Sequence, residues 1–222
     1  MKLKIYIFRH GQSYYNREHK FTGWKDSKLT PQGVKDARTV AKKLKNKKID
    51  LAYCSHLTRS KHTLREVLKF HPECKKKIVD DRVIERCYGK LQGMSHKSFI
   101  EKDGTEDYKL LLHHHRLEGY LKGKERKEFI ENIGAAELKI MRRSYDVPPP
   151  GGESVKDVEK RVIPFIKDLI KKMKKEKINV AISAHGNSMR PFRRYFEKLT
   201  IPQMMRLENP WDNYFEYTID VK

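Results

Sequence analysis

The chain has 222 residues, 37% hydrophobic and 36% charged, which is length and apolar content enough for one α/β core beneath a heavily charged surface. Its 50 Lys and Arg against 29 Asp and Glu leave +21 at neutral pH, a field that draws polyanions: nucleic acid, acidic lipid or small phosphorylated molecules. Three cysteines without C-x-x-C spacing argue against a disulfide framework or a thiolate metal site, and the absence of any apolar run near 18 residues argues against a membrane span.

Met1-Lys2-Leu3-Lys4 leads straight into a strand with no signal-peptide pattern, so the expected location is the cytoplasm. Ile5 to Phe8 is β-branched and aromatic and predicts a short buried strand that stops on Arg9-His10-Gly11. A polar loop follows as far as Thr30-Pro31, where Thr caps a helix and Pro takes its first position. Val34, Ala37, Ala41 and Leu44 mark the inner face of that helix. Leu51 to Cys54 predicts a second strand, and Ser55 a cap for a helix carrying Arg59 in its first turn. Ile78-Val79 and Val83-Ile84 suggest a third extended segment leading to Glu85-Arg86-Cys87-Tyr88-Gly89.

A strongly charged helical insertion occupies about 95–141, and Arg142 to Gly152 reads as a stiff non-helical connector ending in three prolines and two glycines. Ser154 and Asp157 form a capping-box pattern that opens a helix in which Pro164 should cause a kink or a break. Val180 to Ser183 predicts a central strand ending in Ala184-His185-Gly186-Asn187, with Ser188 opening the next helix and Tyr214 to Val221 forming an edge strand. The alternation predicts a three-layer α/β/α sandwich, in which a mostly parallel sheet and the helical insertion form one domain over 1–222. The lysine runs, such as Lys75-Lys76-Lys77, fall at helix ends and in loops and read as solvated surface charge.

Two strands thus end in His-Gly, and if adjacent and parallel they bring His10 and His185 to one pocket at the sheet's carboxyl edge, where ligands bind in α/β folds. Arg9 and Arg59 add two guanidiniums, and Glu85 a carboxyl group at the rim. Two histidines, two arginines and one acid suit phosphoryl transfer through a covalent histidine intermediate. A neutral imidazole attacks phosphorus in line, the cations hold the equatorial oxygens, and Glu85 exchanges a proton with the leaving and attacking oxygens. His113-His114-His115 point in different directions on a helix and read as surface, not a metal site. Cys87, Trp211 and Tyr214 read as packing.

The blocks Arg9-His10-Gly11-Gln12-Ser13 with Asn16, Phe21 to Trp24, Ser55 to Arg59, Glu85 to Gly93, Arg142 to Pro150 and Ala184 to Arg190 appear in one order over nearly the whole chain. In them the sequence resembles the histidine phosphatase superfamily and, within it, the 2,3-bisphosphoglycerate-dependent phosphoglycerate mutases. The resemblance implies His10 as the phosphorylated nucleophile, Glu85 as proton donor and acceptor, and His185 as a stabiliser of the transferring group. It implies that Arg9, Ser13, Asn16, Arg59, Gly186 and Asn187 surround that group. Thr22, Gly23, Arg86, Tyr88, Arg142 and Arg143 would hold the substrate's carboxylate and second phosphate. It further implies 3- and 2-phosphoglycerate as substrates in glycolysis and gluconeogenesis, 2,3-bisphosphoglycerate as the primer of the phosphoenzyme, and no metal. The partners it implies are a small anionic phosphorylated substrate and at most a second copy of the chain in a homodimer, with no specific nucleic acid and no membrane.

The sequence departs from the mutase pattern in places. His96, with Lys97 beside it, stands where the family's substrate-binding lysine falls, the segment from Gly93 to Arg142 is long, and the stretch after Pro150 is contracted to Gly-Gly-Glu-Ser. Little chain follows the last predicted strand. A histidine phosphatase that passes the same phosphoryl group to water is therefore the alternative. A nucleic-acid-binding protein with a degenerate site is a more distant one, suggested by the charge alone.

Overall fold

The structure, a computed structural model, describes residues 1–114 and 121–221. The first strand, β1 (Lys2–Arg9), is followed by a one-turn helix α1 (Tyr14–Arg17), a long helix α2 (Pro31–Leu44), β2 (Leu51–Cys54) and α3 (Thr58–Leu68). Next come β3 (Lys76–Val79), the insertion helices α4 (His96–His113) and α5 (Gly123–Arg143), and α6 (Val155–Glu176). The chain closes with β4 (Val180–Ala184), α7 (Gly186–Glu197), α8 (Ile201–Arg206) and β5 (Tyr214–Asp220). Among the described residues no helix is long and apolar enough to cross a membrane.

The sheet order is β3-β2-β4-β1-β5, parallel except for β5, which runs antiparallel along β1 at the edge. Alternate residues of β1 face opposite layers, as a strand's two-residue period requires. Ile5 and Ile7 pack with Val162, Phe165, Ile166 and Phe192 of α6 and α7, whereas Tyr6 and Phe8 pack with Val40, Leu44, Leu64 and Val67 of α2 and α3. Both faces are buried, which is why the strand reads as a continuous apolar run. The three-layer sandwich expected from the sequence is the observed fold.

Several local expectations are corrected. The loop after Gly11 contains α1, whose N-cap Ser13 forms a reciprocal capping box with Asn16. Helix α3 starts at Thr58 with Leu57 in the cap position and no side-chain cap, so Ser55 is left for other use. Arg142 and Arg143 are the last residues of α5, not part of the connector. Helix α7 begins at Gly186 with His185 as N-cap, not at Ser188. Helix α6 runs unbroken through Pro164, whose exposed ring places the freed Lys160 carbonyl on the water side while Val162, Phe165 and Ile166 anchor the buried face. In the triple-histidine run His113 and His114 are exposed, and His115 lies outside the described residues.

Two close backbone approaches set the geometry around the site. A Cβ on Gly33 would lie 2.0 Å from the Gln12 carbonyl oxygen, and one on Gly11 would lie 2.0 Å from the Gly33 carbonyl oxygen. These glycines let the start of α2 press against the loop that carries His10, an approach any side chain would block. Gly33→Ala is expected to destabilise the fold by about 2 kcal/mol or more, because the clash is with backbone on both sides. Urea midpoints at constant m-value measure this, and an unchanged midpoint contradicts the contact.

Candidate active site

The register of β1 and β4 pairs Arg9 with Ala184, so the next residue of each strand, His10 and His185, emerges side by side. The His10 amide extends the ladder by donating to the Ala184 carbonyl at 3.1 Å, and the two imidazoles meet edge to face with centroids 4.9 Å apart. The His10 Nδ1 donates to the Gly11 carbonyl at 2.7 Å, which accepts only, so the neutral ring carries its proton on Nδ1 and its lone pair on Nε2. That lone pair accepts from the Arg59 Nε–H at 3.2 Å. Burial pushes the His10 imidazolium well below the ordinary histidine range, and the charges of Arg59 and Arg9 push it further in the same direction. The ring is neutral, buried and nucleophilic.

Arg59 is 1% exposed and fixed on all sides, donating also to the Gly23 carbonyl at 2.7 Å and the Lys25 carbonyl at 3.1 Å. Burial lowers its pKa to about 10, so it remains a cation at neutral pH. Arg9 donates from Nη1 to the Asn209 carbonyl at 3.2 Å and lies 5.0 Å from the centre of the Trp211 ring, while its Nε is buried with no partner among the described residues. His185 is fully buried behind His10 and kept neutral by burial and by Arg59. Ser55 Oγ already accepts from the Leu57 amide at 3.4 Å, so its hydroxyl proton is available to His185 Nε2 at 2.8 Å. The other ring nitrogen of His185, Nδ1, is buried and without a partner among the described residues.

Glu85 arrives on an extended segment. Its Oε1 accepts from the amides of Arg86 at 2.8 Å and Asn187 at 3.1 Å, while Oε2, close to Gly186, has no hydrogen-bond partner among the described residues. In extended backbone successive side chains point opposite ways, and Arg86 accordingly turns from the cavity. Its guanidinium lies 4.4 Å from the Tyr88 ring centre and donates to the Met141 carbonyl at the end of α5.

These groups border a cavity of about 270 Å³. Thirteen of the sixteen site residues expected from the sequence line it: Arg9, His10, Asn16, Thr22, Gly23, Arg59, Glu85, Tyr88, His96, Arg142, Arg143, Gly186 and Asn187. Ser13, Arg86 and His185 do not line it: Ser13 caps α1, Arg86 braces α5, and His185 backs His10. His96 packs edge-on against Phe21 at 4.9 Å, and burial together with Arg142 lowers its pKa to about 4, so this position presents a neutral ring. Lys97 beside it is exposed and does not line the cavity.

Sequence reasoning missed Arg190, Glu208, Asn209 and Trp211, all on the cavity wall. Arg190 lies four residues after Gly186 on α7, a helical spacing that puts both on one face. It donates to the carbonyls of Met204 and Met205 at 2.8 and 2.7 Å, and burial lowers its pKa to about 10. Trp211, expected in the core, instead covers Arg9 from the loop before β5, and no local pattern announces that placement. Glu208 of the same loop pairs with Arg143 at 2.8 Å. Six cationic side chains, Arg9, Arg59, Arg142, Arg143, Arg190 and Lys20, thus face the carboxylates of Glu85 and Glu208 across one small cavity, an arrangement that can take a small, multiply charged anion and transfer a phosphoryl group to His10 Nε2.

A family model described as the histidine phosphatase superfamily, branch 1, matches residues 5–118 and 116–219. A 2,3-bisphosphoglycerate-dependent phosphoglycerate mutase of Parvibaculum lavamentivorans is 33% identical, the match covering 98% of this chain and 91% of that protein. The mutase of the same name from Methanococcus vannielii is 35% identical over the same shares of the two chains. Among solved structures, a mycobacterial glucosyl-3-phosphoglycerate phosphatase superposes with a TM-score of 0.70 at 21% identity, covering 98% of this chain and 91% of that one. The chain belongs to the histidine phosphatase superfamily.

The buried neutral histidines make stability depend on pH. The unfolded chain binds protons on His10, His185 and His96 below about pH 6.5 while the folded chain does not. Stability is therefore expected to fall from pH 7.5 to 5.5, by up to about 1.4 kcal/mol per pH unit for each such group below its unfolded value. Urea midpoints at the two pH values measure this, and an equal or higher midpoint at pH 5.5 contradicts the assignment.

Proposed function

We propose that this member of the superfamily is a phosphoglycerate mutase, interconverting 3-phosphoglycerate and 2-phosphoglycerate through a phosphohistidine at His10, a step of glycolysis and gluconeogenesis in the cytoplasm. The observation that carries this reading is the presence of two cationic groups on one cavity. Arg9 and Arg59 stand with His10 at the strand ends, while Arg142, Arg143 and Arg190 come from α5 and α7. A substrate with a phosphate and a second anionic group uses both. The names of the relatives at 33% and 35% identity support the same reading.

The residues fit a bisphosphorylated primer as well: the partnerless Nε of Arg9 is available to one anionic end, and Arg142, Arg143 and Arg190 to the other. When bound, 2,3-bisphosphoglycerate supplies the phosphoryl group that charges His10. When His10 takes a phosphoryl group from a bound phosphate ester, the Nε2–P bond forms as the P–O ester bond breaks, and the leaving oxygen takes a proton from Glu85 Oε2. In the return step the Glu85 carboxylate takes the proton of a phosphoglycerate's free hydroxyl as that oxygen attacks the phosphorus and the His10 Nε2–P bond breaks. Arg9, Arg59 and the His185 imidazole stabilise charge on the transferring oxygens from fixed positions, with little reorganisation.

A second reading, a phosphomonoester phosphatase with water as acceptor, is favoured by Glu208. Its carboxylate sits on Arg143 and competes with an anionic substrate at that end of the cavity.

The test gives purified protein 3-phosphoglycerate with and without a trace of 2,3-bisphosphoglycerate and follows 2-phosphoglycerate and free phosphate separately. Isomerisation stimulated by the bisphosphate, with little phosphate released, is the expected result; phosphate release without isomerisation establishes the phosphatase instead. His10→Ala is expected to abolish turnover, and Glu85→Gln to lower kcat by about 100-fold or more. Near-wild-type activity in either variant overturns the mechanism.

A further inference from the structure

The loop that carries Glu85 is held by an ion pair that does not line the active-site cavity, between Arg161 of α6 and Glu153 just before that helix. The Arg161 Nε and Nη2 meet the two Glu153 carboxylate oxygens at 2.9 and 3.0 Å, a bidentate contact. The remaining donors turn to the loop. Nη1 donates to the carbonyls of Arg82 and Ile84, both at 2.9 Å, and Nη2 to the carbonyl of Glu85 itself at 3.0 Å. Glu153 grips the other side: its Oε2 accepts from the Cys87 amide at 2.8 Å, and its own amide donates to the Cys87 carbonyl at 2.9 Å.

Backbone groups of residues 82, 84, 85 and 87 are therefore tied to one half-buried pair. The Glu85 carbonyl takes a second bond, from the Trp24 indole at 2.8 Å, and the loop is pressed against the proline-rich connector at Gly89, whose φ is +51° and whose Cβ would lie 2.2 Å from the Pro150 carbonyl oxygen.

We propose that Arg161 and Glu153 are positioning residues that aim Glu85 Oε2 as the proton donor to the leaving oxygen, although neither touches the substrate. The inference rests on the role given to Glu85 under the proposed function. A carboxylic acid is useful as a proton donor only within hydrogen-bond reach of the leaving oxygen, and a loop free to shift by an ångström loses that reach while leaving His10 and the arginines in place.

The readout is the dependence of kcat/KM on the leaving group across aryl phosphates of similar shape, from p-nitrophenyl phosphate, whose phenolate leaves unaided, to phenyl phosphate, whose phenolate needs a proton. In Arg161→Lys, and independently in Glu153→Gln, the ratio of phenyl to p-nitrophenyl phosphate turnover is expected to fall about tenfold, with the thermal transition of the folded protein still cooperative. Glu153→Gln keeps an acceptor for the Cys87 amide and serves if the lysine variant does not fold. An equal loss on both substrates, or no loss, overturns the inference and leaves the pair a stability element. Glu85→Gln measured in the same series separates the two claims. If it too leaves the ratio unchanged, the role of Glu85 fails; if it lowers the ratio and the clamp variants do not, only the positioning role fails.

Discussion

The site depends on one hydrogen-bonded register. Arg9 pairs with Ala184 across two central parallel strands, and the His10 amide continues the ladder to the Ala184 carbonyl. A slip of one residue would turn His10 or His185 to the other face of the sheet, because side chains alternate along a strand. The apolar residues below them, Ile5, Ile7, Val180 and Ile182, are buried between helices, so the pairing that satisfies the core also sets the two imidazoles 4.9 Å apart. Core packing and catalytic geometry are here the same constraint.

The charge around that pair serves two ends. Burial, and after it the guanidiniums of Arg59 and Arg9, hold His10 in its neutral form, and the field of those guanidiniums offers an anion its binding site. A lysine-rich surface alone would be screened by salt and would not distinguish one polyanion from another. What distinguishes the cavity is that some of its arginines are held by the protein: Arg59 has three bonds to protein groups, and Arg190 is held by two carbonyls. Donors held in place by the protein are worth more to a transition state than mobile ones on the surface.

The acid side of the site is built differently. The histidines sit on strand ends and need little support, whereas Glu85 sits on irregular backbone that must be braced from elsewhere. The bracing comes from α6 through Arg161, from the connector through Glu153, and from the loop before α2 through Trp24. The insertion helices α4 and α5 close together at Gly104 and Gly134, each with its Cα against a carbonyl of the other helix, and bring Arg142 and Arg143 to the cavity from the far side. The site is therefore an agreement among many separate segments of chain.

Much of this was legible in the residues. The strands, the capping of α2 and α6, and the pairing of two His-Gly strand ends follow from local periodicity and cap chemistry, which act over a few residues and so leave a mark in sequence. The resemblance to a known superfamily supplied Arg142, Arg143, Tyr88 and Thr22, which no local pattern marks as site residues. Beyond local reach lay the turn of Arg86 away from the cavity, the use of Ser55 on His185 instead of α3, the placement of Trp211 over Arg9, and the grip of Arg161 on the Glu85 loop. Each joins residues far apart in the chain, and only packing chooses among the partners that a serine, an arginine or a tryptophan could take. The sequence by itself determined which elements form and which chemistry they carry; the tertiary structure decided which polar atoms were left free to use it, because that depends on where every other donor and acceptor had already found its partner.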